Sequence, residues 1–439
     1  MTTHIIFSLI ETLPHKSASA VARGWGDKVV VYLKLFDNHD DDDVEKHLNY
    51  GISSSYYQLF IFALAPGHGL NFAAFLVSTG AVLLLLAGVK ESKYVTNIVS
   101  SIKTMLILFI AALSLALMKK DNFIPYIPPE FGTAGIIRGA TSSFFGYVGF
   151  DEICCLSGEA INPKQNVPRS IIITLLIVTT LYVSASLGLS GMVPYQEISE
   201  ASAFPDGFRY RGYNIAADIT AIGELAVLPL CVLVTIMAQP RLTYTMALDG
   251  ILPTLFAELD EKNNLFKGTI LSGIVMIIIA TVVPFIHLDD IISSGILIAF
   301  TLTNTSVILV RCSSPKDRPY TLERLLIAFH LLSIVSGLLI KEITINAIRG
   351  LTLLSCIVSI IIVGNWIRKC PQVDETNVEF YLTPAVPILP LCGCFVNILL
   401  ITRMEFGVLG FLGGYIGLAL LGHYCTQKSN RTQQPLAMD

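Results

Sequence analysis

Apolar stretches recur along this chain at 72–89, 104–118, 171–193, 270–286, 296–310, 350–363, 385–402 and 408–424. About 20 apolar residues carry an α-helix across a hydrocarbon layer, and uncharged flanks lengthen the shorter runs. Lipid offers no partner to a backbone N–H or C=O, so runs of this length read as helices that satisfy their own backbone. With 136–157, 217–238 and 325–340, the sequence predicts about eleven spanning helices. Composition agrees: 14% of the 439 residues are charged and 53% are hydrophobic, against roughly 25% charged in soluble domains. The expected fold class is all-α, a polytopic membrane protein.

The net charge of −4 says little about partners, but the placement of charge says more. If 72–89 ends inside, that side's loops and tail carry fifteen Lys and Arg residues, from Lys90 to Arg431. The opposite loops carry seven, from Lys119 to Arg403. Basic residues favour the cytoplasmic side, which predicts a cytoplasmic C-terminus. The nine cysteines contain no CxxC and the eight histidines no HExxH, so no metal site is expected. Most cysteines lie in apolar segments and read as structural or lipid-facing thiols. No nucleotide-binding motif occurs either: Gly410 to Gly414 lacks a following Lys-Ser/Thr. No cofactor and no nucleic acid is expected. A cleavable leader is poorly supported, because HIIFSLI is short, follows no basic stretch and is followed by Glu11.

The first 60 residues differ from the rest. Residues 1–36 are only moderately apolar, and Asn38 to Asp43 form a like-charge run that reads as a solvated loop. From residue 60 on, short Gly/Pro/Asp turns separate the spans. One longer exterior loop, 194–213, carries Glu197, Glu200 and Asp206 with Arg209 and Arg211. The division expected is 1–59, 60–425 for the membrane domain, and a tail at 426–439.

One apolar segment is interrupted at its middle. Phe144-Phe145-Gly146-Tyr147-Val148-Gly149-Phe150-Asp151 places two glycines and a carboxylate at bilayer depth. Paired glycines loosen the backbone, and an intramembrane carboxylate is costly unless paired or wetted. Both are tolerated where a helix breaks to offer its N–H and C=O groups to a solute. The bland alternative is an ordinary glycine-packed span with core aromatics. Beyond it, Pro163 and Pro168 are expected to stop one helix and start the next, as a gate or hinge.

GYVGFDEICCLSGEAINPKQNVPRSI, residues 146–171, resembles the sixth helix and following loop of the cationic amino acid transporters. These form a branch of the amino acid, polyamine and organocation superfamily, with a pattern close to FFAYxGFDxxxxxxEExxNPxxxIPxxI. Leu76 to Lys103 is similar to the family's fourth helix, loop and early fifth. Gln239 to Pro253 resembles its PRxxxAMARDGLLP stretch, and Ser17 to Trp25 its third helix. The resemblance implies five-plus-five inverted repeats with extra C-terminal helices. It implies an aromatic gate at Phe145, a backbone carbonyl at Val148 that meets the substrate's α-amino group, and an acidic residue at Asp151. Gly146 and Gly149 belong to the same substrate segment. Lys103 matches a coupling lysine of some relatives; read alone, it is either functional or snorkels from a helix end.

Departures from the pattern are equally specific. No GxGIGxGIF-like stretch occurs, so the chain is expected to be N-terminally incomplete and to begin near a degraded third helix, with Glu11, Pro14, His15 and Lys16 in its path. In the eighth helix Leu228-Pro229-Leu230 replaces small hydroxyl residues, and Pro229 is expected to kink the span. Glu224 stands where a small residue is usual. It is a candidate substrate-binding, cation or proton site, or the partner of a nearby basic group.

The expectation is amino acid transport by alternating access, for arginine, lysine or ornithine, at the plasma membrane and driven by a gradient or by exchange. The alternative is a non-transporting or truncated relative with a structural or regulatory role. No nucleophile–base or metal constellation supports an enzyme.

Overall fold

A computed structural model describes residues 14–39, 69–87, 93–150, 160–199, 202–248, 265–341, 347–372 and 382–405. Short pieces at 62–65, 153–154, 252, 254–259, 407–410, 413–414 and 417 are also described. The helices are α1 (Pro14–His39), α2 (Phe72–Leu86), α3 (Lys93–Ala116), α4 (Gly132–Phe144), α5 (Pro163–Met192) and α6 (Ala203–Tyr210). They continue as α7 (Asn214–Leu248), α8 (Phe266–Val282), α9 (Phe285–Arg311), α10 (Thr321–Lys341), α11 (Ala347–Arg368) and α12 (Ile388–Ile401). An isolated β-bridge joins Cys312 and Gln372. Six helices, α3, α5, α7, α9, α10 and α11, are long and apolar enough to cross a membrane, and α2, α8 and α12 are shorter apolar helices. Most of the expected 408–424 span, the run 40–43 and the tail lie outside the described residues.

The chain divides into two packing units, 14–126 with 170–288 and 127–169 with 289–405 among the main described stretches. In the first, α1, α2, α7 and α8 share a core of small and medium side chains: Ala18, Ala22, Ala74, Ala81, Val82, Val232, Ile236, Met276 and Ala280. Small residues let membrane helices approach closely, and dispersion then holds them. Gly26 allows a close approach of α1 to the start of α2, since a Cβ there would lie 2.6 Å from Asn71 Oδ1. Helix α1 thus packs with helices from beyond residue 59. Pro14 does not break α1; it sits in its first turn, where the missing N–H costs nothing.

In the second unit, Ile308, Leu326, Phe329, Ile367, Leu391 and Cys394 bring α9 to α12 together. The helix start expected at the first proline pair is seen, because α5 begins at Pro163. Pro163 and Pro168 both lie in the opening turns of α5, entered through Asn162 at φ 49°. In the first unit, α7 runs as one 35-residue helix through Pro229 and Pro240. The 194–213 loop also contains a short helix, α6, anchored by the fully buried Phe208.

Candidate functional site

The interrupted segment does break. Helix α4 ends at Phe144, a single 3-10 turn covers Phe145 to Tyr147, and Val148 is extended at φ −62° and ψ 135°. A helical residue has ψ near −42°, so the Val148 carbonyl is swung about 180° away from the helical direction. One bond closes the turn, from the Val148 N–H to the Phe145 carbonyl at 3.1 Å. Gly149 follows at φ +110°, a conformation that side chains disfavour. Nothing lies within 4 Å of where its Cβ would be, so backbone geometry and not crowding calls for glycine there. Gly146 sits inside the 3-10 turn and is exposed. At the end of α4 the regular i to i−4 pairing stops. Phe145 and Val148 are half-buried; Asp151 lies outside the described residues.

The flanking rings have a common neighbour. Phe300 of α9 lies 6.1 Å from Phe144, edge-on, and 5.4 Å from Phe150, centroid to centroid. No sequence signal singled out Phe300, one aromatic in an apolar run.

The other two candidates belong to the first unit. Lys103, on α3, donates to the Cys231 sulfur of α7 at 3.5 Å, and its side chain is exposed. Glu224, on α7, receives Lys28 Nζ at 2.5 Å and the Tyr32 hydroxyl at 3.1 Å, both from α1. Of the options open in the sequence, the structure supplies the basic partner. The side chains of Lys28 and Glu224 are 26% and 18% exposed, so this is a half-sheltered ion pair.

Sequence reasoning missed a second charged node on α1. The buried Arg23 pairs with Asp27 at 3.1 Å and donates to the carbonyls of Gly69, at 2.5 Å, and Thr281, at 3.2 Å. Asn71 donates to Asp27 at 2.7 Å while its side-chain oxygen caps α2 at the Ala74 N–H. The i,i+4 spacings of Arg23 with Asp27 and of Lys28 with Tyr32 were visible signals.

Residues 48–389 match the amino acid permease family model. The chain therefore belongs to the amino acid permease family, a family of integral membrane proteins, and its all-helical, apolar architecture fits a polytopic member. It is 34% identical over 258 residues to the methylthioribose transporter of Bacillus subtilis, covering 57% of this chain and 55% of that one. Against cationic amino acid transporter 4 of Mus musculus it is 31% identical over 309 residues, 69% of this chain and 46% of the relative. The branched-chain amino acid permease BcaP of Bacillus subtilis is 30% identical over 248 residues, 56% and 53% respectively. The chain spans about half the length of these curated relatives.

Proposed function

We propose that this chain carries amino acids across a membrane by alternating access, with cationic amino acids such as arginine, lysine and ornithine as substrates. The break between Phe144 and Gly149 is the observation that carries the reading. A helix that stops inside an apolar span exposes main-chain dipoles where lipid would otherwise forbid them, which is how carriers hold a charged solute at mid-membrane. In this reading the Val148 carbonyl and its neighbours accept bonds from the substrate's ammonium group, Phe145 closes over it, and Gly146 and Gly149 shape the turn. Asp151 balances positive charge. Lys103 takes the coupling role, while Glu224 acts through its pair with Lys28.

The cationic preference is supported by relatives named as cationic amino acid transporters from mouse and Arabidopsis thaliana. A five-plus-five inverted repeat of about eleven spans, a plasma-membrane location and a cytoplasmic C-terminus complete the proposal. The test is uptake of labelled L-arginine into proteoliposomes holding only this chain. Saturable uptake, competed by lysine more than by leucine and reduced at least tenfold in Phe145→Ala, is expected. Leucine competing better than lysine would overturn the cationic preference. No uptake despite confirmed insertion would overturn transport and favour the structural or regulatory alternative.

A further inference from the structure

Phe144 and Phe150 are six residues apart. In an intact α-helix their side chains would stand about 9 Å apart along the axis and about 120° apart around it. One ring on a neighbouring helix could then touch one of them but not both. Phe300 touches both, with ring centroids at 6.1 Å and 5.4 Å. The double contact is possible because the chain leaves the helix at Phe144 and turns through Gly149 before reaching Phe150.

We propose that Phe300 is a positioning residue: its ring clamps the two ends of the break together and so fixes where the exposed main chain between them lies. A contact present in the broken form and absent from a continuous helix favours the broken form by its own strength. Offset and edge-on ring pairs are the favourable arrangements for aromatic side chains, and both contacts are tilted or edge-on. Phe300 acts on the substrate through Phe144, Phe150 and the five residues between them, without touching it. This deepens the carrier reading but stands on the ring geometry, so the two can fail separately.

Two measurements on the full chain test it. The first is thermal unfolding in detergent, as double-mutant cycles pairing Phe300→Leu with Phe144→Leu and with Phe150→Leu. Leucine keeps the side chain apolar and removes the ring. Coupling in both cycles is expected; coupling to one ring alone, or to neither, overturns the clamp. The second is L-arginine uptake. A bound form that must first be held broken pays for lost clamping in apparent affinity, and two ring contacts of ordinary strength correspond to about fivefold to a hundredfold. Phe300→Leu is therefore expected to raise KM by about fivefold or more while keeping Vmax, and Phe300→Tyr to restore it. An unchanged KM with both couplings present overturns the positioning role. Absent uptake by the unaltered chain, with both couplings intact, sinks the carrier reading and leaves the clamp standing.

Discussion

Two regions of this molecule face the same difficulty, backbone polarity inside an apolar segment, and handle it in opposite ways. Around α1 the main chain is satisfied by side chains: Arg23 reaches the carbonyls of Gly69 and Thr281, and Asn71 caps α2. Around Gly149 the helix stops, the Val148 carbonyl swings away, and the rings of Phe144 and Phe150 flank the turn. The first arrangement makes a rigid joint. The second turns a main-chain carbonyl out of the helical direction, as the carrier reading requires. Unfolding measurements should therefore respond most to changes near α1, and uptake most to changes near Gly149.

The largest effect is expected at Arg23. Replacing it with Leu removes the ion-pair partner of Asp27, which keeps the Asn71 amide, and takes a donor from the carbonyls of Gly69 and Thr281, the second of which keeps the Asn71 N–H. Arg23 is buried but Asp27 is 40% exposed, so solvent screens the charge left behind and the loss of Arg23's charged hydrogen bonds is expected to cost about 2–3 kcal/mol. Thermal unfolding of Arg23→Leu in detergent should show that loss as a markedly lower Tm. An unchanged Tm would mean that the node is ornamental and the contrast between the regions is false.

A smaller effect follows from the pair between Lys28 and Glu224. Because both side chains keep some exposure, 26% and 18%, removing one partner is expected to cost about 1–2 kcal/mol. Lys28→Met and Glu224→Gln should each lower Tm, and the double variant should recover most of the loss, since it leaves no charge uncompensated. If Glu224 instead served the substrate directly, Glu224→Gln would abolish arginine uptake and the double variant would not rescue it.

Much of this contrast could be read in the sequence, but unevenly. Glycines, an Asp and flanking aromatics in an apolar run announced the break, because a continuous span has no use for them. Which glycine bears the strain was not legible: Gly146 and Gly149 look alike as letters, and only the backbone angle separates them. The α1 node was hidden for a different reason. Charged residues in a weakly apolar stretch read as damage to a span, whereas Arg23, Asp27 and Lys28 are partnered through Gly69, Asn71, Thr281 and Glu224, up to 258 positions away. Beyond the i,i+4 spacing of Arg23 and Asp27, pairing across such separations leaves no local signal. Phe300 was invisible on the same grounds, since its two partners follow one another in sequence only across a turn that had not yet been seen.

The smallest effect on stability, and the sharpest on position, is expected at the two glycines. Gly149→Ala forces a side chain into φ +110° and should cost roughly 1–2 kcal/mol, or else drive the turn toward another conformation. Gly146→Ala meets no such strain, because residue 146 lies exposed in a helical turn, and should change stability by less than about 0.5 kcal/mol. Uptake should follow the same order, with Gly149→Ala impaired more strongly than Gly146→Ala. The reverse order would place the functional bend at the 3-10 turn itself. The swung Val148 carbonyl would then lose its role, because the strained residue that orients the chain beyond it would have proved dispensable.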